Sequence, residues 1–596
     1  MDEKKIIVAI DFGSAFTGYT YCFIGKNSNE IYCGKFEGTG ANIKTLNKVI
    51  INDSNEIIKY GFGVEDYLKK GNLKSNEHLF ERIKMNLYND NYEIKAVNSS
   101  KTIKLVDLIY LILNYIKKLA IEAIISTSKG FEDEYKYDEE ADKIRWVLTI
   151  PAIWNDKNKY IMMQAAEKAG IVNSKNKNLF FALEPEAASY YCAKESPCND
   201  DIFLDPYIIC DLGAGTGDIV CHERIINDGI EKIIEKYAPQ GGPFGSDEIN
   251  KKFENQVLKV IFGDDIMDKL NEKFKESLKN SKTLKNFSRK YVVFKEEINH
   301  FKESLDEDKY LEETKNIDCS LIYSMCKGIN IKEAIEKYNE KCPMGWQIKD
   351  YGFDDEDDKT ITFPYKIIYD LTKNITDDVS EKLLEIISNV KDTSTIFYVG
   401  GFCNSDFVDK LIKKKIQEKY PNIKHLKAPN PGNAVLKGAI LYGLAPERIK
   451  SRKAKYSLGM CAYLDWDSKY ENGGEKYFDS EFNKYVCKNS FYNFISKDND
   501  IPYDNRLIKP LLLRNYGNKK YGGALIIYKS TKSNPLFIDE ECVEEIGRFE
   551  LEIDDGNEYS GEDGIFYVSM ELGGTFLNAT AYHNKSNTKV NMEFKY

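Results

Sequence analysis

The sequence predicts an α/β protein whose main domain is duplicated, with two lobes facing each other across a cleft. Three observations predict it. An apolar strand runs into an aspartate and a glycine-containing turn twice, as IIVAID followed by FGSAFTG at residues 6–18 and as YIICD followed by LGAGTGD at residues 207–218. A strand, a glycine pair and a helical period recur at residues 395–420, TIFYVGGFCNSDFVDKLIKKKIQEKY. Between these stretches, apolar runs of strand length alternate with segments of helical spacing.

The second turn is the more informative. Residues 207–210 read as a strand ending at Asp211, and residues 218–222 as the return strand. Gly213, Gly215 and Gly217 are predicted to take positive φ and to bring the backbone close to a bulky ligand. Amide protons of such a turn surround a phosphate, and Asp211 is placed to hold a hydrated magnesium ion against it. The pattern D-x-G-x-G-x-G after a strand equally suits the cofactor loop of a methyltransferase that uses S-adenosylmethionine, and a hairpin without a ligand also satisfies it. The methyltransferase loop needs a helix next, whereas DIVCHE is short and β-branched and reads as the return arm of a hairpin. In the first turn Asp11 takes the place of Asp211, and Ser14 supplies a hydroxyl as Thr216 does.

Composition narrows the classes. The 596 residues suffice for several domain-sized units; 42% are hydrophobic, 30% are charged and the net charge is −11. That balance disfavours nucleic acid and anionic membrane as partners. The start, MDEKKIIVAID, enters a strand without an apolar signal region, and the apolar helix at residues 103–124 is interrupted by Asp107, Asn114, Lys117 and Lys118. A cytoplasmic protein without membrane insertion is expected. Thirteen scattered cysteines without C-x-x-C and five dispersed histidines point to reduced, buried thiols rather than a zinc site or disulfides.

In chain order, residues 35–137 form a peripheral subdomain that carries Lys84 in HLFERIKMNLY, a position that spacing alone reads as a solvated charge. Residues 145–170 are a strand ending at Pro151 and a helix capped by Asn155 or Asp156. LFFALEPEAASYYCAK is a strand and a helix with Glu184, Pro185 and Glu186 in its first turn; acids there suit the helix dipole, and a carboxylate near a metal-bound phosphate could position water. QGGPFGS at residues 240–246 opens a polar helix, and residues 281–306 are a charged helix containing Lys302. Residues 307–360 show few periodic features and an acidic run, DDEDD, and read as a solvated insertion. Gly400 and Gly401 follow a strand and allow a flat ring to lie on the backbone, and residues 430–442 are a loop and a closing helix. No P-loop motif occurs.

In this order the pieces resemble the actin, hexokinase and heat-shock ATPase superfamily, and within it the seventy-kilodalton heat-shock chaperones. IDFGSAFTG and DLGAGTGD are similar to the two phosphate motifs, TIPAIWND to V-P-A-x-F-N-D, LEPEAAS to E-P-T-A-A, and VGGF to the adenosine turn. Toward the carboxyl end, IGRFELEI and VSMELGGTFLNATAY resemble strands of the family's substrate domain. The large departures make the chain most similar to the divergent member-twelve branch. The resemblance implies a duplicated actin-like (ribonuclease H-like) two-lobed ATPase domain, with lobe I at 1–204 and lobe II at 205–447, the latter carrying a peripheral subdomain at about 241–369. A basic linker at 448–455 would follow, then a β-sandwich-like partner domain at 456–596 without a helical lid.

The resemblance also implies ATP/ADP and Mg2+ as cofactors. Asp11 and Asp211 would hold the magnesium shell. Gly13, Ser14, Ala15, Gly213, Ala214, Gly215 and Thr216 would hold phosphate oxygens. Lys84, Glu184, Asp211 and Thr216 would be catalytic, with Lys84 facing the γ-phosphate and Glu184 orienting water or metal. Lys302 would reach the ribose beside Gly400, Gly401 and Phe402. Phe402 and Asn404 stand where the family has serine and arginine, and Gly432 where it has an acid, so nucleotide binding is better supported than hydrolysis. The expected function is an ATP-binding, slowly hydrolysing chaperone or chaperone-like protein acting on unfolded or partner protein segments through residues 456–596. A nucleotide-exchange factor or co-chaperone would be a further partner. The alternatives are a nucleotide-sensing scaffold with vestigial turnover, a sugar kinase and the methyltransferase. The linker PERIKSRKAK at 446–455 is strongly basic and reads as a solvated connection.

Overall fold

The computed structural model describes residues 5–594 apart from 26–29, 130–142, 173–177, 196–199, 228–229, 279–284, 306–309, 311, 327–329, 353–358, 481–482, 504–505, 513–520, 554–564 and 572–577. The chain is a mixed α/β protein of two compact units. The first comprises Met1–Phe203, Tyr207–Ile219 and Gln240–Ala445, and the second Leu204–Pro206, Val220–Pro239 and Pro446–Tyr596.

In the first unit, strand Ile6–Phe12 pairs parallel with Ile144–Ile150, which pairs parallel with Leu179–Leu183. On its other side Phe16–Phe23 returns antiparallel and sets Asp11 opposite Gly18. Ile6, Ile7, Val8, Ala9 and Ile10 are all fully buried, as expected of an unbroken apolar run covered on both faces. Alternation along Phe16–Phe23 shows what covers them. The hydroxyls of Tyr19 and Tyr21 donate to the carbonyls of Leu119 and Ala123 on helix Leu105–Ser128. Thr20 Oγ1, between them, donates to Leu436 O on helix Ala434–Leu444.

That last helix crosses helix Glu184–Glu195 at very short range. A Cβ on Gly438 would lie 1.8 Å from the carbonyl oxygen of Ala187. Gly438→Ala gains helix propensity but must force two backbones apart, and the steric term wins because a carbonyl cannot swing aside. The expected loss is about 1–3 kcal/mol, the usual range for overpacking, read as a lower urea midpoint at unchanged m-value.

A second set of parallel strands in this unit runs Lys424–Lys427, Thr395–Val399, Tyr207–Leu212. Helices Tyr365–Asn389 and Asp406–Gln417 accompany it, joined by Lys415–Asp377 at 3.2 Å and by the Tyr369 and Phe407 rings at 5.1 Å. The sheet of Ile57–Tyr60, Lys48–Asn52 and Glu77–Glu81 shares a core with the helical segment around Asp264–Ser277. Ile50, Val64, Leu68 and Leu79 are buried there with Phe274 and Leu278.

The segment expected to lack periodic structure has some. Strand Thr314–Asp318 pairs antiparallel with Thr360–Pro364, and Asn330 caps helix Ile331–Lys341 by accepting from Glu333 N. Ile331, Ile335 and Tyr338, spaced four and three residues apart, are its buried face, a period the intervening charges obscure. The acidic run at 354–358 lies outside the described residues.

In the second unit the expected basic linker is instead a strand. Ile449–Lys453 pairs parallel with the arm Ile230–Gly242, Ile449 facing Ile233, and antiparallel with Asp500–Pro502. Ile449, Ser451 and Arg452 are buried, and Lys453 N donates to Glu235 Oε1 at 2.9 Å. Charge count misled because the strand pairs through its backbone, while Lys450 stays exposed and the buried Arg452 guanidinium sits 5.8 Å from the Tyr503 ring centroid. Farther on, a six-stranded sheet carries Ser457–Asp465, Lys484–Ile495, Tyr521–Ser530 and Val543–Ile553, and a four-stranded sheet carries Ile565–Glu571 and Asn578–His583. Met460, Ile527 and Phe549 of the first share one core with Phe566, Val568 and Ala581 of the second. Among the described residues no helix is long and apolar enough to cross a membrane.

Candidate nucleotide site

The two glycine turns of the first unit are built alike. Gly13 N donates to Phe16 O at 3.1 Å, and Gly213 N donates to Thr216 O at 2.9 Å. Each turn is tied from behind. Asn47 donates from Nδ2 to Gly13 O and from its backbone N to Ala15 O, while Ser246 N and Asp247 N donate to Gly213 O and Ala214 O. Both turns line one cleft of about 840 Å³.

Space rather than handedness marks Gly13, Gly215 and Gly217, whereas a Cβ on Gly213 would meet only Thr216 O at 3.2 Å. Contrary to the sequence expectation, none of Gly213, Gly215 and Gly217 has positive φ. A Cβ on Gly215 would lie 2.3 Å from Met85 Sδ and 2.9 Å from Ser14 Oγ, so here the two turns approach each other with one methionine between. Gly400 is the glycine with a left-handed backbone, at φ 89°, and a Cβ there would lie 2.4 Å from Asp211 Oδ1. A Cβ on Gly401 would meet nothing within 4 Å, which leaves a bare peptide surface beside Phe402.

The cleft floor holds four buried carboxylates, Asp11, Glu184, Asp211 and Asp218, and two lysines, Lys44 and Lys84. Asp11 ends its strand and accepts from Lys44 Nζ at 2.6 Å and from Thr149 Oγ1 at 2.8 Å. Burial pushes its carboxyl up, but the Lys44 and Lys84 ammoniums more than offset this and hold it below its ordinary value. Lys84, on the short helix Ile83–Tyr88, is paired with Glu184, and its ammonium sits 5.5 Å from the Trp154 ring centroid. Burial, against the pull of Lys84 and with a smaller push from Asp11 and Asp218, leaves Glu184 raised to about 7. Asp211 has its carboxyl pushed well above the ordinary range by burial, then by Glu184, Asp218 and Asp11, with Lys44 opposing. Asp218 accepts from Ile153 N at 3.0 Å.

At the other end, Lys302 on helix Lys285–Glu303 donates to Ser246 O at 3.4 Å, and burial lowers its pKa although Asp247 and Glu303 raise it. Leu305, Phe407 and Val408 give this end an apolar lining against Gly400, Gly401, Phe402 and Asn404. The structure thus brings to this cleft Asp11, Gly13, Ser14, Ala15, Lys84, Glu184, Asp211, Gly213, Ala214, Gly215, Thr216, Lys302, Gly400, Gly401 and Phe402, whereas Gly217 does not line it. Sequence reasoning missed Asp218, which closes the DLGAGTGD stretch and was visible there. It also missed Lys44, which no motif marks.

Whether a magnesium ion suits these residues can be tested on the charges. Among the described residues no three His, Cys, Asp or Glu side chains are grouped to hold an ion directly. Four carboxylates against two lysines nevertheless leave acidic groups in excess, and the excess is relieved at Asp211, whose acid form its surroundings favour in the empty cleft. A hydrated divalent cation carried in with phosphate fits that imbalance.

No family model matches the chain. It is 25% identical to heat shock 70 kDa protein 12A of Mus musculus and to that of Homo sapiens, each over 99% of this chain and 91% of the relative. The chain resembles the member-twelve branch of the seventy-kilodalton heat-shock proteins. Heat shock 70 kDa protein 12B of Homo sapiens is 22% identical over 98% of this chain and 90% of its own length. The resemblance therefore runs through both compact units rather than through the glycine turns alone.

Proposed function

We propose that this chain is an ATP-binding, slowly hydrolysing chaperone-like protein with a duplicated actin-like domain, and that nucleotide state in the cleft is coupled to partner segments held by the two-sheet part of the second unit. The observation that carries this reading is the pair of like-built turns facing one cleft above the Lys84–Glu184 pair. Phosphoryl transfer to water needs positioning and charge neutralisation more than covalent chemistry. Ser14, Thr216 and the turn backbones would bind the phosphates, and Lys84 would face the γ-phosphate. Asp11, Asp211 and Asp218 would orient water around a magnesium ion, which supplies charge neutralisation when bound. Glu184, with its pKa near neutrality, would take up a proton from the attacking water. The base would lie on Gly400 and Gly401 and the ribose near Lys302. The proposed setting is the cytoplasm.

Calorimetric titration with ATP and magnesium tests the reading: saturable binding at submillimolar nucleotide is expected, and excess S-adenosylmethionine should not compete. Absence of saturable ATP binding overturns it. The second reading, a nucleotide-sensing scaffold, is favoured by Phe402 and Asn404 at the base end, where the resemblance calls for serine and arginine.

A further inference from the structure

Lys44 belongs to no motif, yet its ammonium joins two separate parts of the cleft. It reaches from strand Lys44–Leu46 to Asp11 Oδ2 at 2.6 Å and to Gly432 O at 2.6 Å, the latter on the loop before helix Ala434–Leu444. Its side chain keeps 17% exposure and lines the cleft.

The pairing divides the four carboxylates. Glu184 is held by Lys84, Asp11 by Lys44, and Asp218 accepts a hydrogen bond from Ile153 N. Asp211 forms no ion pair among the described residues, and its Oδ1 faces Gly400, where a Cβ would lie 2.4 Å away. The charge that a metal shell would otherwise supply at Asp11 is already present as an ammonium on the chain.

We propose that Lys44 is a built-in cation of the phosphate site: it holds Asp11 and the Gly432 carbonyl while the cleft is empty, and serves the polyphosphate of an entering nucleotide, leaving Asp211 as the main place where magnesium strengthens binding. This rests on the nucleotide-binding reading and adds a charge-bearing phosphate contact that no motif marks. An ammonium beside a phosphate is a point charge that needs no fixed geometry, so a lysine can exchange a carboxylate and a carbonyl for phosphate oxygens with small movements of its stem. Glycine at 432 suits this because an acid there would compete with the phosphate for the same ammonium.

The test is calorimetric titration of ADP into the full chain, with magnesium and with EDTA, for the parent, Lys44→Met and Lys44→Arg. The ratio of the two dissociation constants is the readout. In Lys44→Met the ratio should grow by about tenfold, mainly through weaker binding in EDTA, a change of about 1.4 kcal/mol. Lys44→Arg, which keeps the charge, should restore the parent ratio to within about threefold, on the order of 0.7 kcal/mol. An unchanged ratio in Lys44→Met, with the parent binding ADP, overturns the inference and makes Lys44 a structural partner of Asp11. No ADP binding by the parent overturns the nucleotide reading and this inference with it. If Lys44→Met fails to fold, Lys44→Gln provides the same neutral comparison, and a parent ratio that matches Lys44→Gln is again fatal.

Discussion

Asp211→Asn should abolish the strengthening of ATP binding by magnesium. In the parent, magnesium is expected to tighten ATP by about tenfold or more, and in the variant by less than about twofold, a loss on the order of 1 kcal/mol or more. The reason is the imbalance on the cleft floor. Burial and three neighbouring carboxylates disfavour an ionised Asp211, and a hydrated divalent cation is what makes the ionised form favourable again. Asparagine keeps the shape and removes the charge. Titrations with and without magnesium decide it, and equal magnesium dependence in both proteins would reduce Asp211 to a strand-end residue.

The same substitution carries a pH signature without nucleotide. A carboxyl whose folded pKa is raised contributes stability that is fully present below its unfolded pKa and is lost as pH rises through the folded value. Empty parent protein should therefore lose thermal stability relative to Asp211→Asn as pH rises, and the gap in Tm should close in acid. A gap that instead widens in acid contradicts the environment assigned to Asp211.

Lys84→Ala should remove turnover while leaving ATP binding within about threefold. A positive group aimed at charge that develops in the transition state acts mainly on the rate, typically by about 10²–10³-fold. Loss of Lys84 also removes the cation that pulls Glu184 down, so the Glu184 proton is held more firmly. In the parent, phosphate release should rise with pH through about 7, as Glu184 loses its proton and becomes a base. Single-turnover phosphate release at several pH values measures both effects. Unchanged release in Lys84→Ala would favour the scaffold, whose residual turnover owes nothing to this lysine.

The glycine turns and the strands leading to them were legible because a parallel strand buried on both faces has few ways to be written, and Ile6–Ile10 and Tyr207–Cys210 are unbroken apolar runs. The reason for the glycines was not legible. Gly215 is required by Met85 and Ser14, residues brought to it by the fold, and sequence spacing reports handedness needs more readily than steric ones. Lys44 was invisible for a similar cause, since its partners lie at Asp11 and Gly432 and nothing local distinguishes it from a solvated lysine. The strand at Ile449–Lys453 was obscured by its charges: Arg452 is buried against the Tyr503 ring, a partner 51 positions away that nothing local announces.

The crossing at Gly438 has a mechanical meaning. Helix Glu184–Glu195 starts at the cleft with the residue paired to Lys84, and helix Ala434–Leu444 starts just after the loop that Lys44 grips. The two meet about one turn later, backbone against backbone, at Ala187 and Gly438. One turn farther on the same two helices meet again through the Tyr190 and Tyr442 rings, edge to face at 5.9 Å, and a pair of helices touching at two successive points is braced against swivelling about either one. The bracing reaches the cleft from both sides, since Glu184 opens one helix and the Gly432 carbonyl held by Lys44 lies just before the other.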